Sequence, residues 1–433
     1  MNSKIKKNKL FIPLFFLPLT YIIGIAVVEV FLFFYLLFLF LNDNNKKLLD
    51  QKVLIILFLF SFYIGVNAFL QIPSNLKYSS IFHFRYVLFS IAVFFFFEKY
   101  SHIKFNKNLL LSVFSMIIIF LLFDSFFQFF VGENIFGQKL FNYRVSSFFG
   151  DDLILGSYLV RLLPIIFWYL FYLKIDVNLN KFYYTIFFSI YFIAIYLSGE
   201  RTSFVLFLGL ILLSLIFISE LRHILIRSTL ILSIFIILLA IFNFGKTDIT
   251  HRMFGKTYKQ IIKQNITQEN IIKENKIEKK NNYASIFKSV RVFSTDHQGH
   301  LVLAKNLFIE NPVFGVGPKG FRQFCRDVEY NPEKGICSTH PHNILAQTLS
   351  ELGLIGILFY LIFVFFLIKY SLIARTKKIN NLNSSSFLII SIGLIIHLFP
   401  LLPSGNFFNN WISSFIYFKI GLLLYSYKKL FSK

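Results

Sequence analysis

Long apolar runs separated by short polar turns set the pattern of this chain. The first run extends from Leu10 to Leu41. Others cover Val53–Leu70, Ile81–Phe97, Leu109–Val131, Leu153–Leu173, Phe182–Leu197, Ser203–Ser219 and Ser228–Phe244. A hydrophilic stretch then intervenes from Gly245 to Ser350, before Leu352–Ile368, Phe387–Leu402 and Trp411–Tyr427. A helix needs about 20 apolar residues to cross a bilayer, so each run predicts one span. The first is too long for one span and divides near Gly24–Glu29 into two short helices. A cleaved signal peptide is rejected there, because no small-x-small site leads into a polar start. The expected fold is all-α: a polytopic transmembrane bundle of about twelve spans with one large, partly helical periplasmic loop. Its expected parts are a bundle over 1–244, a loop with the chemical motifs over 245–351, and three C-terminal helices with a cytoplasmic tail over 352–433.

Composition agrees with hydrocarbon as the solvent: 56% of the residues are hydrophobic, 20% aromatic and only 15% charged. The net charge of +23 does not indicate nucleic-acid binding, because the basic residues are spread among the turns between runs. Their distribution predicts orientation. With the N-terminus inside, twenty-one lysines and arginines fall in short cytoplasmic segments, against Lys77, Lys139, Arg144 and Arg201 outside. That is the positive-inside asymmetry. It puts both termini in the cytoplasm and the 245–351 loop outside, and reading Leu10–Leu41 as one span would invert it.

Residue types that carry chemistry gather on the outer side. Ser198-Gly199-Glu200-Arg201-Thr202-Ser203 is a short hairpin between two spans. Arg201 cannot retreat far from the membrane surface there, and a guanidinium suits a phosphate by bidentate contact. The bland alternative is an interfacial arginine paired with Glu200. Asp296 is a plausible N-cap for a helix ended by Asn311-Pro312. His297 and His300 would occupy its first turn, either holding an anion or simply exposed on an amphipathic helix. Gly315-Val-Gly-Pro-Lys-Gly320 lacks the ending of a phosphate-binding Walker loop. It reads as a tight turn with Lys319, Arg322 and Arg326 nearby. Cys325 and Cys337 in an exported loop predict a disulfide. His340-Pro-His342-Asn343 leads into an apolar helix, with Pro341 in its first turn and His342 on one face with Leu345, Ala346 and Leu349. Gly353 is the expected break before the next span. A histidine at the membrane lip is placed as a general base, and no carboxylate or thiolate stands at metal spacing from His340 and His342. Arg85, Asp124, Arg161 and Lys419 fall inside spans. Arg161 lies near the outer end of its span, Arg85 and Asp124 are read as a mutual pair, and Lys419 is unassigned.

Taken in order, Ser-Gly-Glu-Arg201-Thr-Ser in an outer hairpin, Asn311-Pro-Val-Phe-Gly-Val-Gly317, and His342-Asn343 leading to Leu349-Ser-Glu351-Leu-Gly353 resemble the O-antigen ligase and O-antigen polymerase superfamily. The resemblance is densest from Ser294 to Phe366. It implies transfer of a glycan from an undecaprenyl-pyrophosphate carrier to a sugar hydroxyl on the lipid A core or on another glycan, in the bacterial inner membrane, without metal, nucleotide or other cofactor. It implies that Arg201 binds pyrophosphate and that His342 sits at the reacting centre, supported by His340, Asn343 and Glu351. The family's second arginine, at the start of the helix before Asn-Pro, is replaced here by His297. Arg291, His297, His300 and Arg322 are the candidates for its role, with Arg161 a further phosphate ligand. A transporter or flippase is the reading from a different class. It is disfavoured because repeated halves with broken helices at mid-membrane are not evident.

Overall fold

The computed structural model describes residues 16–40, 52–71, 80–100, 107–175, 180–242, 244, 248–255, 258, 295–325, 337–376 and 381–431. Among these there is no strand, only the isolated bridges Glu133–Lys139 and Phe141–Arg144. The helices are α1 Leu17–Ile23, α2 Ile25–Phe40, α3 Lys52–Gln71, α4 Phe84–Tyr100, α5 Lys107–Val131, α6 Leu155–Tyr172, α7 Lys181–Leu197, α8 Arg201–Phe217, α9 Arg222–Phe242, α10 Thr295–Glu310, the short α11 Phe321–Phe324, α12 Ile344–Thr376, α13 Asn381–His397 and α14 Asn410–Phe431. Five are long and apolar enough to cross a membrane, and four shorter apolar helices accompany them. This is a multi-pass helical membrane protein. The first run does break, at Gly24, whose φ of 130° ends α1.

Burial explains the arrangement. Helix α6 is enclosed along nearly its whole length, packed against α7, α8 and α13, while α14 packs on α4 and α13. Two buried polar groups of α6 find partners: Tyr158 donates to the Pro18 carbonyl at 2.9 Å and Trp168 Nε1 to Ser426 Oγ at 2.8 Å. Helices α9 and α12 instead expose apolar stripes. On α12 these are Leu354, Leu358, Leu361, Phe365, Ile368 and Leu372, spaced at three and four as one helical face. Exposed apolar surface of that extent is stable against lipid and not against water.

Helix α12 has 33 residues, about 50 Å at the standard rise, too long for the hydrocarbon alone. It breaks at Gly353, with φ 62° and ψ −159°, where the sequence predicted a break. This helix also packs against α10. The loop after α10 crosses α12 at this kink, backbone against backbone. Val316 N–H donates to the Ser350 carbonyl at 2.9 Å and Leu354 N–H to the Pro312 carbonyl at 2.8 Å. A Cβ on Gly315 would lie 2.5 Å from the Glu351 carbonyl carbon, and one on Gly353 2.5 Å from that of Val313. The two glycines are needed because the chains approach this closely. Tyr63 and Asn67, one turn apart on α3, complete the crossing. Tyr63 OH donates to the Leu352 carbonyl at 2.5 Å, and Asn67 Nδ2 to the Phe314 carbonyl at 2.7 Å.

One expectation about buried charge changes. Arg85 does not pair with Asp124: it bonds Glu29 at 2.9 Å and Tyr86 OH at 2.9 Å. Asp124 is buried and accepts from Ile135 N–H at 2.8 Å and from Ser147 Oγ. Each group found a nearer partner contributed by a different element.

Candidate active site

The Arg201 hairpin is built around a carboxylate. Glu200 immediately precedes α8, but its oxygens serve the start of α6. They accept from Gly156 N–H at 2.7 Å, Ser157 N–H at 3.3 Å, Ser157 Oγ at 2.7 Å and Ser203 Oγ at 2.9 Å. An anion on the first amides of a helix is favourable through both the open donors and the dipole. Glu200 also forms an ion pair with Arg144 at 3.7 Å. It is thus engaged by α6 and Arg144. Arg201 opens α8, half-buried at the surface.

Two further arginines hold this turn. Arg144 Nε donates to the Ser198 carbonyl at 3.3 Å and its Nη2 to the Leu153 carbonyl. Arg252 Nε donates to the Gly199 carbonyl at 3.0 Å and its Nη1 to the Asn142 carbonyl at 3.3 Å. Gly199, at φ 64°, lies between their stems: a Cβ there would sit 3.0 Å from Arg144 Cγ and 3.2 Å from Arg252 Cδ. Burial draws the Arg252 guanidinium below its usual value, and the neighbouring charges of Arg144 and Arg201 add to this, against Glu200. Burial likewise lowers Arg144, partly offset by Glu200. Three cations beside one carboxylate make this turn strongly attractive to an anion.

The histidines assemble just ahead of α12, against α10. Helix α10 starts at Thr295 and ends at Glu310, directly before Asn311-Pro312. Asp296 is therefore inside its first turn, and His300, buried, points into the cluster. The ring centres of His300 and His342 are 5.3 Å apart, and those of His340 and His342 4.1 Å. His342 departs from expectation. Helix α12 begins at Ile344, so neither Pro341 nor His342 is helical and His342 shares no face with Leu345. It has φ 54°, a left-handed conformation that costs a non-glycine residue on the order of 1 kcal/mol. The reason is Asn343, which takes the capping position: its Oδ1 accepts Ala346 N–H at 2.9 Å while Nδ2 donates to the Pro400 carbonyl at 2.7 Å. That hook fixes the chain and turns His342 away from the helix, with Nε2 2.9 Å from Ser338 Oγ. The Cys325–Cys337 disulfide, Cα–Cα 5.1 Å, closes the loop just upstream.

The 400–406 segment joins the two halves. Ser404 N–H donates to the His342 carbonyl at 2.7 Å, and His340 Nε2 lies 3.3 Å from the Ser404 carbonyl. Arg161, one turn below Ser157, donates from Nη1 to the Ser157 carbonyl at 2.9 Å. A Cβ on the neighbouring Gly405 would be 4.0 Å from its Nη2. Arg161 therefore spans from the helix start that Glu200 caps to the segment that holds the histidines. Glu351 is fully buried, accepting from Gln347 Nε2 at 2.9 Å and Phe321 N–H at 3.2 Å. Gln347 continues to Asn406 at 2.8 Å. Glu351 thus ties α11, α12 and the 400–406 segment together rather than facing a substrate. Arg322 lies in a separate basic group with Lys319, whose ammonium is lowered first by burial and then by Arg322 and Arg85.

Arg291, Arg326 and the side chain of His297 lie outside the described residues. Arg252, Arg144, Ser338, Asn406 and His397 were not singled out by sequence. No local pattern marks them, since each is brought in by a chain reversal.

A sequence model of the family described as O-antigen ligase matches residues 186–361. No curated protein matches the chain. The matched stretch contains Arg201, Arg252, His300, the Gly315–Gly353 crossing and His342. Residues 186–361 are thus similar to the O-antigen ligase family, a family of membrane glycan-transferring enzymes.

Proposed function

We propose that the protein moves a glycan from an undecaprenyl-pyrophosphate carrier to a sugar hydroxyl of the lipid A core, at the periplasmic face of the bacterial inner membrane. The observation that carries this reading is the pairing of a three-arginine turn with a histidine loop through Arg161 and the 400–406 segment. Pyrophosphate is a good leaving group once its charge is met by fixed cations. In the step, the acceptor oxygen bonds to the anomeric carbon as the bond from that carbon to the pyrophosphate oxygen breaks. The pair of electrons leaves on the lipid pyrophosphate, held by Arg201. The hydroxyl proton passes to the His342 imidazole, which Ser338 orients. With Nε2–H donating to Ser338, the accepting nitrogen is Nδ1. A single displacement of this kind inverts the anomeric centre, and NMR of the product showing net retention contradicts it.

A lipid-linked donor also accords with an apolar cleft beside the start of α12. Phe60, Thr348, Phe359, Leu398, Phe408 and Tyr417 line it. The orientation rests on the lysine asymmetry, which puts both termini in the cytoplasm and the 245–351 segment outside; the count of about twelve spans rests on hydropathy.

The test supplies purified protein with a defined undecaprenyl-pyrophosphate glycan and core acceptor. Glycosylated acceptor and free lipid pyrophosphate form, with a chelator present and no nucleotide added. Intact donor under all conditions overturns the reading. Extension of a second lipid-linked glycan is the polymerase alternative. A deletion strain separates them: loss of all O-chain is expected for ligase, a single repeat on the core for polymerase.

A further inference from the structure

Beneath the site, three basic side chains line up inside the bundle. Arg161 Nε lies 3.0 Å from His397 Nε2. Lys419 Nζ lies 3.4 Å from the other ring nitrogen of His397, Nδ1, and 3.5 Å from the Gly393 carbonyl. Lys419 is 1% exposed, and the ion pairs among the described residues use Glu29, Glu98 and Glu200 with other partners. Its position follows from close packing: a Cβ on Gly393 would lie 2.6 Å from Pro164, so α6 and α13 touch there.

Proton counting decides the arrangement. A guanidinium is always a donor, so Arg161 Nε–H makes His397 Nε2 the acceptor. A neutral imidazole carries one proton, which then sits on Nδ1 and points at Lys419. An ammonium has no lone pair to receive it. We infer that Lys419 is a neutral amine that accepts the His397 Nδ1 proton and donates to the Gly393 carbonyl, and that His397 and Lys419 are positioning residues which aim Arg161 at the 400–406 segment. The alternative, three cations in contact in the membrane interior without a carboxylate, is far more costly. The other groups facing this row are the Ser157 carbonyl, the Trp411 ring 5.8 Å from the Arg161 guanidinium carbon, and Glu200, which attracts Arg161. With Nε and Nη1 engaged, Arg161 keeps Nη2 toward Gly405, the side from which the histidine loop is held.

The link to donor binding rests on the proposed function, while the protonation pattern does not. Two measurements keep them apart. In protein labelled with ¹⁵N-histidine, the resonances lost in His397→Asn report that ring directly. A neutral ring protonated at Nδ1 is expected, and an imidazolium or a ring protonated at Nε2 overturns the inference. In the transfer assay, Lys419→Gln, which is neutral and can accept the Nδ1 proton, keeps kcat and donor KM within about threefold, whereas Lys419→Arg, permanently charged, raises donor KM about tenfold or more. Lys419→Arg behaving as the parent while Lys419→Gln fails shows that a cation is needed there, and overturns it. Absence of transfer by the parent protein condemns the proposed function and leaves the ¹⁵N result standing.

Discussion

His342 carries two burdens that mutation separates. Its φ of 54° is relieved by glycine and its imidazole is lost with it. His342→Gly is expected to unfold at the same temperature as the parent or higher, while transfer falls by about 10²–10⁴-fold, the usual worth of a general base. Thermal unfolding monitored by tryptophan fluorescence, beside a transfer assay, checks both. Glu200 is the converse, a residue whose work is structural. Glu200→Gln retains one accepting oxygen where the carboxylate served two amides and two hydroxyls. It should cost about 1–3 kcal/mol in stability, visible as a lower unfolding midpoint. Arg201→Lys keeps the charge but loses the planar fork, and about a tenfold rise in donor KM is expected. The serine-glycine-glutamate-arginine motif made Arg201 legible from sequence. For Glu200 the sequence offered only the bland pairing with Arg201; its contacts with Gly156 and Ser157, more than 40 positions away, were not legible.

At the level of elements, the crossing of the 311–317 loop over α12 is where geometry leaves least freedom. Gly353→Ala pushes a methyl into the Val313 peptide at a φ that disfavours side chains. It is expected to cost several kcal/mol, about 3 or more, and to abolish transfer with loss of folded protein. Gly137→Ala is the control. Its φ is 79° but a Cβ there meets nothing within 4 Å, so only the backbone penalty of about 1 kcal/mol applies. Comparing folded yields by detergent size exclusion distinguishes packing from strain. Sequence located Gly353 and the Asn311-Pro312 stop because glycine and proline act locally. It misplaced His342 on the helix because capping by Asn343 depends on the Pro400 carbonyl, supplied by a distant turn. Tyr63 and Asn67 were invisible for the same reason: in an apolar run they read as ordinary span residues.

For the molecule as a whole, hydrophobic periodicity revealed a membrane bundle, since each span is dictated by solvent rather than by long-range contacts. What joins the spans was not legible, and the candidate site is made of such joins: the α6 start, the 198–203 hairpin, the histidine loop and the 400–406 turn. For the proposed transfer, all four must lie on the face opposite the lysine-rich turns. Sidedness of transfer tests this most directly. In sealed proteoliposomes, an impermeant maleimide identifies the face bearing Tyr258→Cys, an exposed position within the 245–351 segment, and the acceptor is then supplied to one face at a time. Glycosylation only when acceptor is on the Tyr258→Cys face is the predicted result. Glycosylation from the opposite face, or passage of intact lipid-linked glycan between faces without bond cleavage, contradicts it.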